Sequence, residues 1–161
     1  MPSLSIPNVL TALAEMRVTH LVWIPDSCFG AWEVPLERSP VQLIRVCREG
    51  EAWPLAAGLL AGGATPLIVM QSTGLFESGD ALRNVLYDLR CPLYAWIGIR
   101  NWLHPQSTDS ARTFALPIIQ AWGIEHVWVQ QDDDLHPMVR HYWACKSASR
   151  AGAALVAEGS G

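Results

Sequence analysis

Charge is scarce in this sequence. Asp, Glu, Lys and Arg make up only 16% of its 161 residues, and the formal net charge is −4. There is no run of Lys or Arg, which argues against nucleic acid as a partner, because that affinity rests on phosphate contacts. Long apolar runs are missing too, and none approaches the ~20 residues needed to span a bilayer. Residues 1–20 are interrupted by Pro2, Pro7, Glu15 and Arg17, so they lack the apolar core of a signal peptide. These absences lead to the expectation of a cytoplasmic protein that does not use a membrane.

Several reactive signatures are absent as well. The four cysteines (Cys28, Cys47, Cys91, Cys145) are far apart, and the five histidines form no HExxH pair. The expectation is reduced, mostly buried thiols and no metal ligands from this chain. No G-x-S-x-G elbow occurs. GLLAGG (58–63) lies within and after a helical stretch, whereas a dinucleotide fingerprint needs its glycines after a strand. GLFESGD (74–80) lacks the Lys-Ser/Thr of a phosphate loop, and GDALRN (79–84) is too short for a Gly-Asp…Asn metal-diphosphate site. The acids at 132–134 read as the start of a helix, where they favour the positive end of the dipole.

What remains is apolar and alternating. Hydrophobic residues are 50% of the chain, and there are eight Trp, which serve either the core or a contact surface. The length suits one domain, 1–161, with one substantial core. Strand signals fall at 20–25, 41–46, 65–70, 92–99, 125–130 and 153–156. Helical spacing falls at 6–16, 50–62, 77–89, 111–123 and 133–148, with a polar loop at 100–110 and a loose tail from 157. Such alternation predicts an α/β three-layer sandwich with a mainly parallel sheet. Ligands then gather at the carboxyl ends of the strands, so the loops to inspect are 25–30, 47–50, 71–78 and 100–110.

One stretch stands out there: CREGEAWPLAAGLLAGG, residues 47–63. A glutamate, Glu49, follows directly after a strand and opens a helix of small apolar residues. Ala52, Leu55, Ala56, Leu59 and Leu60 form the stripe expected to face the sheet. Pro54, Gly58, Ala61 and Gly62 form a second face small enough for another backbone to approach. Pro54 is tolerable if it falls in the first turn, whose amides have no intrahelical partner. Glu49 and Glu51 lie roughly 200° apart around a helix, so at most one faces a given pocket.

This stretch resembles the pyrimidine-binding (Pyr) domain of thiamine diphosphate enzymes. That family carries a Glu, four residues, usually Gly, an apolar residue, two more and a Gly; here Glu49 leads through Pro54 and Leu55 to Gly58. Within the family the chain is similar to the small-subunit or N-terminal halves of sulfopyruvate and phosphonopyruvate decarboxylases. IPDS (24–27), PLIVMQSTGL (66–75) and CPLYAWIGIR (91–100) match that group in the same order, so the likeness spans residues 8–130. It implies the Pyr-domain fold and, through the spacing to Gly58, makes Glu49 rather than Glu51 the cofactor glutamate. In the family that carboxyl hydrogen-bonds N1′ of the aminopyrimidine and so helps the C2 proton leave. Such proton sharing works best where water is excluded.

The resemblance implies further roles. Asp26, Ser27 and Gln71 are candidate substrate contacts, and Gln71, Ser72, Thr73 and Gly74 would line the cofactor cavity. Asp26 and Ser27 read equally well as a helix cap, and Gln71 to Thr73 as turn residues. His104 in the polar loop is a weaker candidate. The family also needs a diphosphate-binding (PP) domain with a Gly-Asp-Gly segment that holds Mg2+, which this sequence lacks. The implied protein is therefore one (α) subunit of a split 2-oxo acid decarboxylase. It would use thiamine diphosphate and Mg2+, pair with a PP (β) subunit that holds most of the metal, and self-associate at least to a dimer. The implied substrate is a small 3-substituted pyruvate. Phe76–Glu77 departs from the family's Gly-Asn and keeps open a non-catalytic Pyr-like domain that scaffolds or regulates a partner; a carboligase subunit using the same ylid is the alternative among enzymes.

Overall fold

The computed structural model describes residues 4–159. Six strands form one sheet: β1 (His20–Trp23), β2 (Gln42–Arg45), β3 (Pro66–Gln71), β4 (Tyr94–Ile99), β5 (Glu125–Val129) and β6 (Gly152–Ala157). Their order is β2-β1-β3-β4-β6-β5, and every pairing is parallel. The strands expected from β-branched and aromatic runs all form. β3, β4 and β6 are almost wholly buried, as continuous apolarity demands of a sheet covered on both faces.

Helices cover both faces and complete the three-layer sandwich. On one side α1 (Ile6–Glu15), α2 (Glu33–Glu37) and α7 (Leu135–Ser147) enclose a core around Leu13, Trp23, Phe29, Trp96 and Met138. On the other, α3 (Glu49–Ala61), α4 (Ser72–Glu77), α5 (Gly79–Arg83) and α6 (Ser110–Ala121) enclose Trp53, Ile68, Leu82, Ile97 and Ile119. Trp23, Trp32, Trp53 and Trp96 are core residues, and the other four Trp are half-buried.

Five expectations need correction. The helix expected at 77–89 begins at Ser72, so Gln71 to Thr73 are not a loop: Gln71 ends β3 and Ser72 opens α4 without an intervening residue. The segment then breaks into α5 and a π-helical turn, Asn84–Asp88. The α3 stripe is anchored by Ala52, Trp53 and Ala56, while Leu55, Leu59 and Leu60 are only half-buried. Pro54 is the sixth residue of α3, not a first-turn residue, so the N–H that would have met the Gly50 carbonyl is missing.

The fourth correction concerns the chain end. Glu158 is not part of a loose tail: its N–H donates to Ile99 O at 3.1 Å and its carbonyl accepts from Leu103 N at 3.0 Å. Residues 160–161 of the expected tail lie outside the described residues. Of the thiols, Cys28 and Cys145 are buried, Cys91 is half-buried and Cys47 is exposed, so mostly buried describes only part of the set. No helix among the described residues is long and apolar enough to cross a membrane.

Candidate functional site

Parallel pairing in the order β2-β1-β3-β4 delivers four chain exits to one edge of the sheet. They carry Asp26 after β1, Glu49 after β2, Gln71 at the end of β3 with Ser72 directly after it, and Arg100 after β4. β6 adds Glu158 at the same edge.

Glu49 is the first residue of α3 and is half-buried. Its side chain lies directly on the backbone of Gly74 in α4. A β-carbon at position 74 would stand 2.4 Å from Glu49 Cγ and 2.7 Å from Oε1. Real β-carbons are essentially never that close to another atom, so this approach requires glycine. The two neighbouring acids are directed elsewhere. Glu51 Oε2 accepts from the N–H groups of Cys47 (3.0 Å) and Arg48 (3.3 Å), reaching back over the start of α3. Glu77 accepts from the Gly50 N–H at 2.8 Å and pairs with Arg48 at 2.6 Å. These contacts hold the Glu77 carboxyl below the usual carboxylate range, the Gly50 N–H contributing most. Glu77 therefore ties α4 to the start of α3 instead of presenting a free acid. Among the described residues only Glu49 of these three has no hydrogen-bond partner for its carboxylate.

Asp26 makes a tight turn after β1. Its Oδ1 accepts from the N–H groups of Cys28 (2.7 Å) and Phe29 (2.9 Å), the local bonding that Asp favours in turns. Oδ2 is buried without a partner. Burial raises the Asp26 pKa; the two N–H donors oppose that rise, and the charges of Glu158 and Glu49 add to it. Asp26 and Glu49 thus sense each other across the edge. Ser27 lies exposed on the same turn. Cys28 is buried against β4, where a β-carbon on Gly98 would come within 2.3 Å of its Sγ. Burial, with Glu158 and Asp26 nearby, drives its pKa far up, so this thiol is no nucleophile at neutral pH.

At the end of β3, Gln71 Oε1 and Ser72 Oγ are also buried without partners. Gln71 pairs in register with Gly98 of β4, which places it beside the Cys28 turn. Thr73 is half-buried in the first turn of α4. Buried polar atoms without partners are uncommon in proteins and call for an explanation. Three indole N–H groups, of Trp23, Trp53 and Trp96, are unpaired as well, but those rings belong to the two cores. Asp26, Gln71 and Ser72 follow adjacent strands and share this edge.

The remaining candidates sort differently. His104 is exposed and packs against Gly159, where a β-carbon would lie 3.0 Å from its ring. Arg100 pairs with Asp109 at 3.4 Å, and Asn101 donates to the same carboxylate at 2.9 Å, which pins the polar loop across its base. Sequence reasoning missed Glu158, although its place just after a buried apolar strand was a usable signal. The edge as a whole is acidic: Asp26, Glu49 and Glu158 gather there, while Arg48 and Arg100 are engaged by Glu77 and Asp109.

No model of a known protein family matches the sequence, and no curated protein matches it. The backbone does resemble solved structures. It is similar to benzoylformate decarboxylase from Polynucleobacter necessarius, with a TM-score of 0.75 at 15% identity over 94% of this chain. The chain spans 29% of the length of that protein. At this identity the likeness establishes the fold: an α/β sandwich with a parallel sheet and helices on both faces.

Proposed function

We propose that this chain is the Pyr subunit of a thiamine diphosphate-dependent 2-oxo acid decarboxylase and that a separate PP subunit completes its site. The observation that carries the reading is the seat of Glu49 on Gly74. A carboxylate without a partner, held at a helix start by a glycine that leaves room for it, suits a group that must meet a ring nitrogen of a bound heterocycle. The solved structure described above is of a decarboxylase, and benzoylformate is itself a 2-oxo acid.

The residues at this edge fit the cofactor's aminopyrimidine end. Thiamine carries a positive charge on one ring, and the edge supplies Asp26, Glu49 and Glu158. Gln71 Oε1 and Ser72 Oγ offer further buried polar atoms. The diphosphate would repel these acids, which is one reason to assign it, with Mg2+, to the partner subunit. When bound, thiamine diphosphate supplies the electron sink that accepts the pair left by departing CO2. This chain's part is to bind, orient and move protons. Glu49 holds the proton shared with N1′. Asp26 has a buried, unpaired Oδ2 and a pKa that burial raises above the ordinary carboxylate value, so it is the candidate for protonating the product.

The proposed substrate is a small 3-substituted pyruvate of the sulfopyruvate or phosphonopyruvate kind. Anionic groups on it would need donors from the partner or from backbone N–H groups, because this edge has few free cations. Phe76–Glu77 weighs little against catalysis, since Glu77 is committed to Gly50 and Arg48.

The test is co-expression with a neighbouring chain that carries Gly-Asp-Gly and a downstream Asn. With thiamine diphosphate and Mg2+, the pair should release CO2 from sulfopyruvate, phosphonopyruvate or pyruvate, and neither chain should do so alone. An assembled pair that binds no thiamine diphosphate would overturn the proposal.

A further inference from the structure

At the opposite end of the sheet, Glu125, His141 and Cys145 come together near the amino ends of β4, β5 and β6. One ligand atom from each lies within 4.8 Å of the others. We propose that these three residues bind one divalent cation of the zinc class, which pins α7 to the edge strand β5. The proposal does not depend on the thiamine reading.

The geometry is already close to what such an ion needs. His141 Nε2 stands 3.7 Å from Cys145 Sγ and 3.9 Å from Glu125 Oε1. Around a tetrahedral zinc with bonds of ~2.0–2.3 Å, nitrogen and sulfur ligands stand ~3.6 Å apart. His141 and Cys145 are four residues apart on α7, so they share a helix face. Two ligands also have the outer partners that metal sites use to fix ligand orientation. Tyr94 Oη bonds His141 Nδ1 at 2.7 Å, which leaves Nε2 to face the other two groups. Arg150 Nη1 pairs with Glu125 Oε2 at 2.6 Å, which leaves Oε1 turned toward His141. Gly152 makes room for the thiol: a β-carbon there would lie 2.7 Å from Cys145 Sγ.

Charge and access agree. A thiolate and a carboxylate balance a doubly charged ion, with Arg150, Lys146 and His126 as the cationic or titratable neighbours. A thiol must lose its proton to bind the ion, so binding should strengthen as pH rises. A largely apolar hollow whose lining includes Tyr94, Cys145, Lys146 and Arg150 opens beside the thiol. Neither Cys spacing nor His spacing alone shows this group, because it mixes three residue types from two elements.

Cobalt(II) is the probe, added to the purified full chain under reducing conditions. The expected result is one ion per chain with a thiolate-to-cobalt charge-transfer band that Zn2+ abolishes by displacement. The band should vanish in Cys145→Ser, weaken in affinity by at least about tenfold in His141→Ala, and persist in Cys47→Ser. If Cys145→Ser does not fold, Glu125→Gln decides: about tenfold weaker cobalt binding with the band retained supports the three-ligand site. Absence of the band, its loss in Cys47→Ser, or unchanged affinity in Glu125→Gln would overturn the proposal.

Discussion

Glu49 rests on Gly74 so closely that no side chain at position 74 is compatible with its present rotamer. Gly74→Ala must therefore push the acid off its seat. The expected outcome is a stability loss of about 1–3 kcal/mol by urea unfolding. CO2 release by the assembled pair should also fall more than about tenfold. Full activity in Gly74→Ala would mean that this contact does not position the acid.

The proposed function assigns Glu49 and Glu51 different parts. Glu49→Gln removes the shareable proton, so turnover should fall by at least about a hundredfold while the complex still elutes as one species. Glu51→Gln keeps an acceptor oxygen for the Cys47 and Arg48 N–H groups and should change activity little. Equal losses from both would show that the wrong carboxylate has been chosen.

Asp26 gives the site a pH signature. Its folded-state pKa is raised, so the folded chain holds a proton there that the unfolded chain has released. Stability then falls as pH rises from the ordinary carboxylate value, about 4, through the raised value. Asp26→Asn keeps the acceptor for Cys28 and Phe29 and removes the buried charge. Its Tm should exceed the wild-type Tm by a few degrees at about pH 7, with the gap closing on acidification below about pH 4. Thermal scans across that range decide it.

Glu77 predicts the opposite slope. Its pKa is lowered, so its contribution is present above the usual carboxylate range and is lost as pH falls through the lowered value. Glu77→Ala should lower Tm at neutral pH, and the difference from wild type should disappear in acid. A constant difference across pH would mean that the Gly50 and Arg48 contacts are not its source.

The exposed small face of α3 tests the partner. Pro54, Gly58, Ala61 and Gly62 are all exposed, and nothing lies within 4 Å of where a Gly58 β-carbon would stand. Gly58→Leu should leave the Tm of the single chain unchanged or higher. If this face meets another subunit, the same change should weaken assembly by at least about tenfold, read by sedimentation. Undiminished assembly would move the interface elsewhere.

The strands were legible because LVWI, PLIVM and YAWIGI are apolar, β-branched runs bounded by Pro or polar residues. α2 was missed because five residues carrying Pro35 give no helical period. The start of α4 at Ser72 was missed because Gln-Ser-Thr-Gly reads as a turn, and burial of the segment overrides that preference. Trp53 was left out of the α3 stripe because helical spacing alone ranked three leucines ahead of it. The candidate residues Asp26, Glu49, Gln71 and Ser72 were found through motif resemblance, but their meeting at one edge depends on the strand order, which no local pattern encodes. The same limit hid the group formed by Glu125, His141 and Cys145.

Because α4 starts with no residue to spare after β3, Gln71 and Ser72 inherit the stiffness of the sheet on one side and of a helix on the other. That wall of the site cannot yield to a bulkier guest without sliding a central ladder. Changes that reshape the proposed site should therefore concentrate in the polar loop between β4 and Asp109, whose exposed residues can accept insertions without disturbing the scaffold.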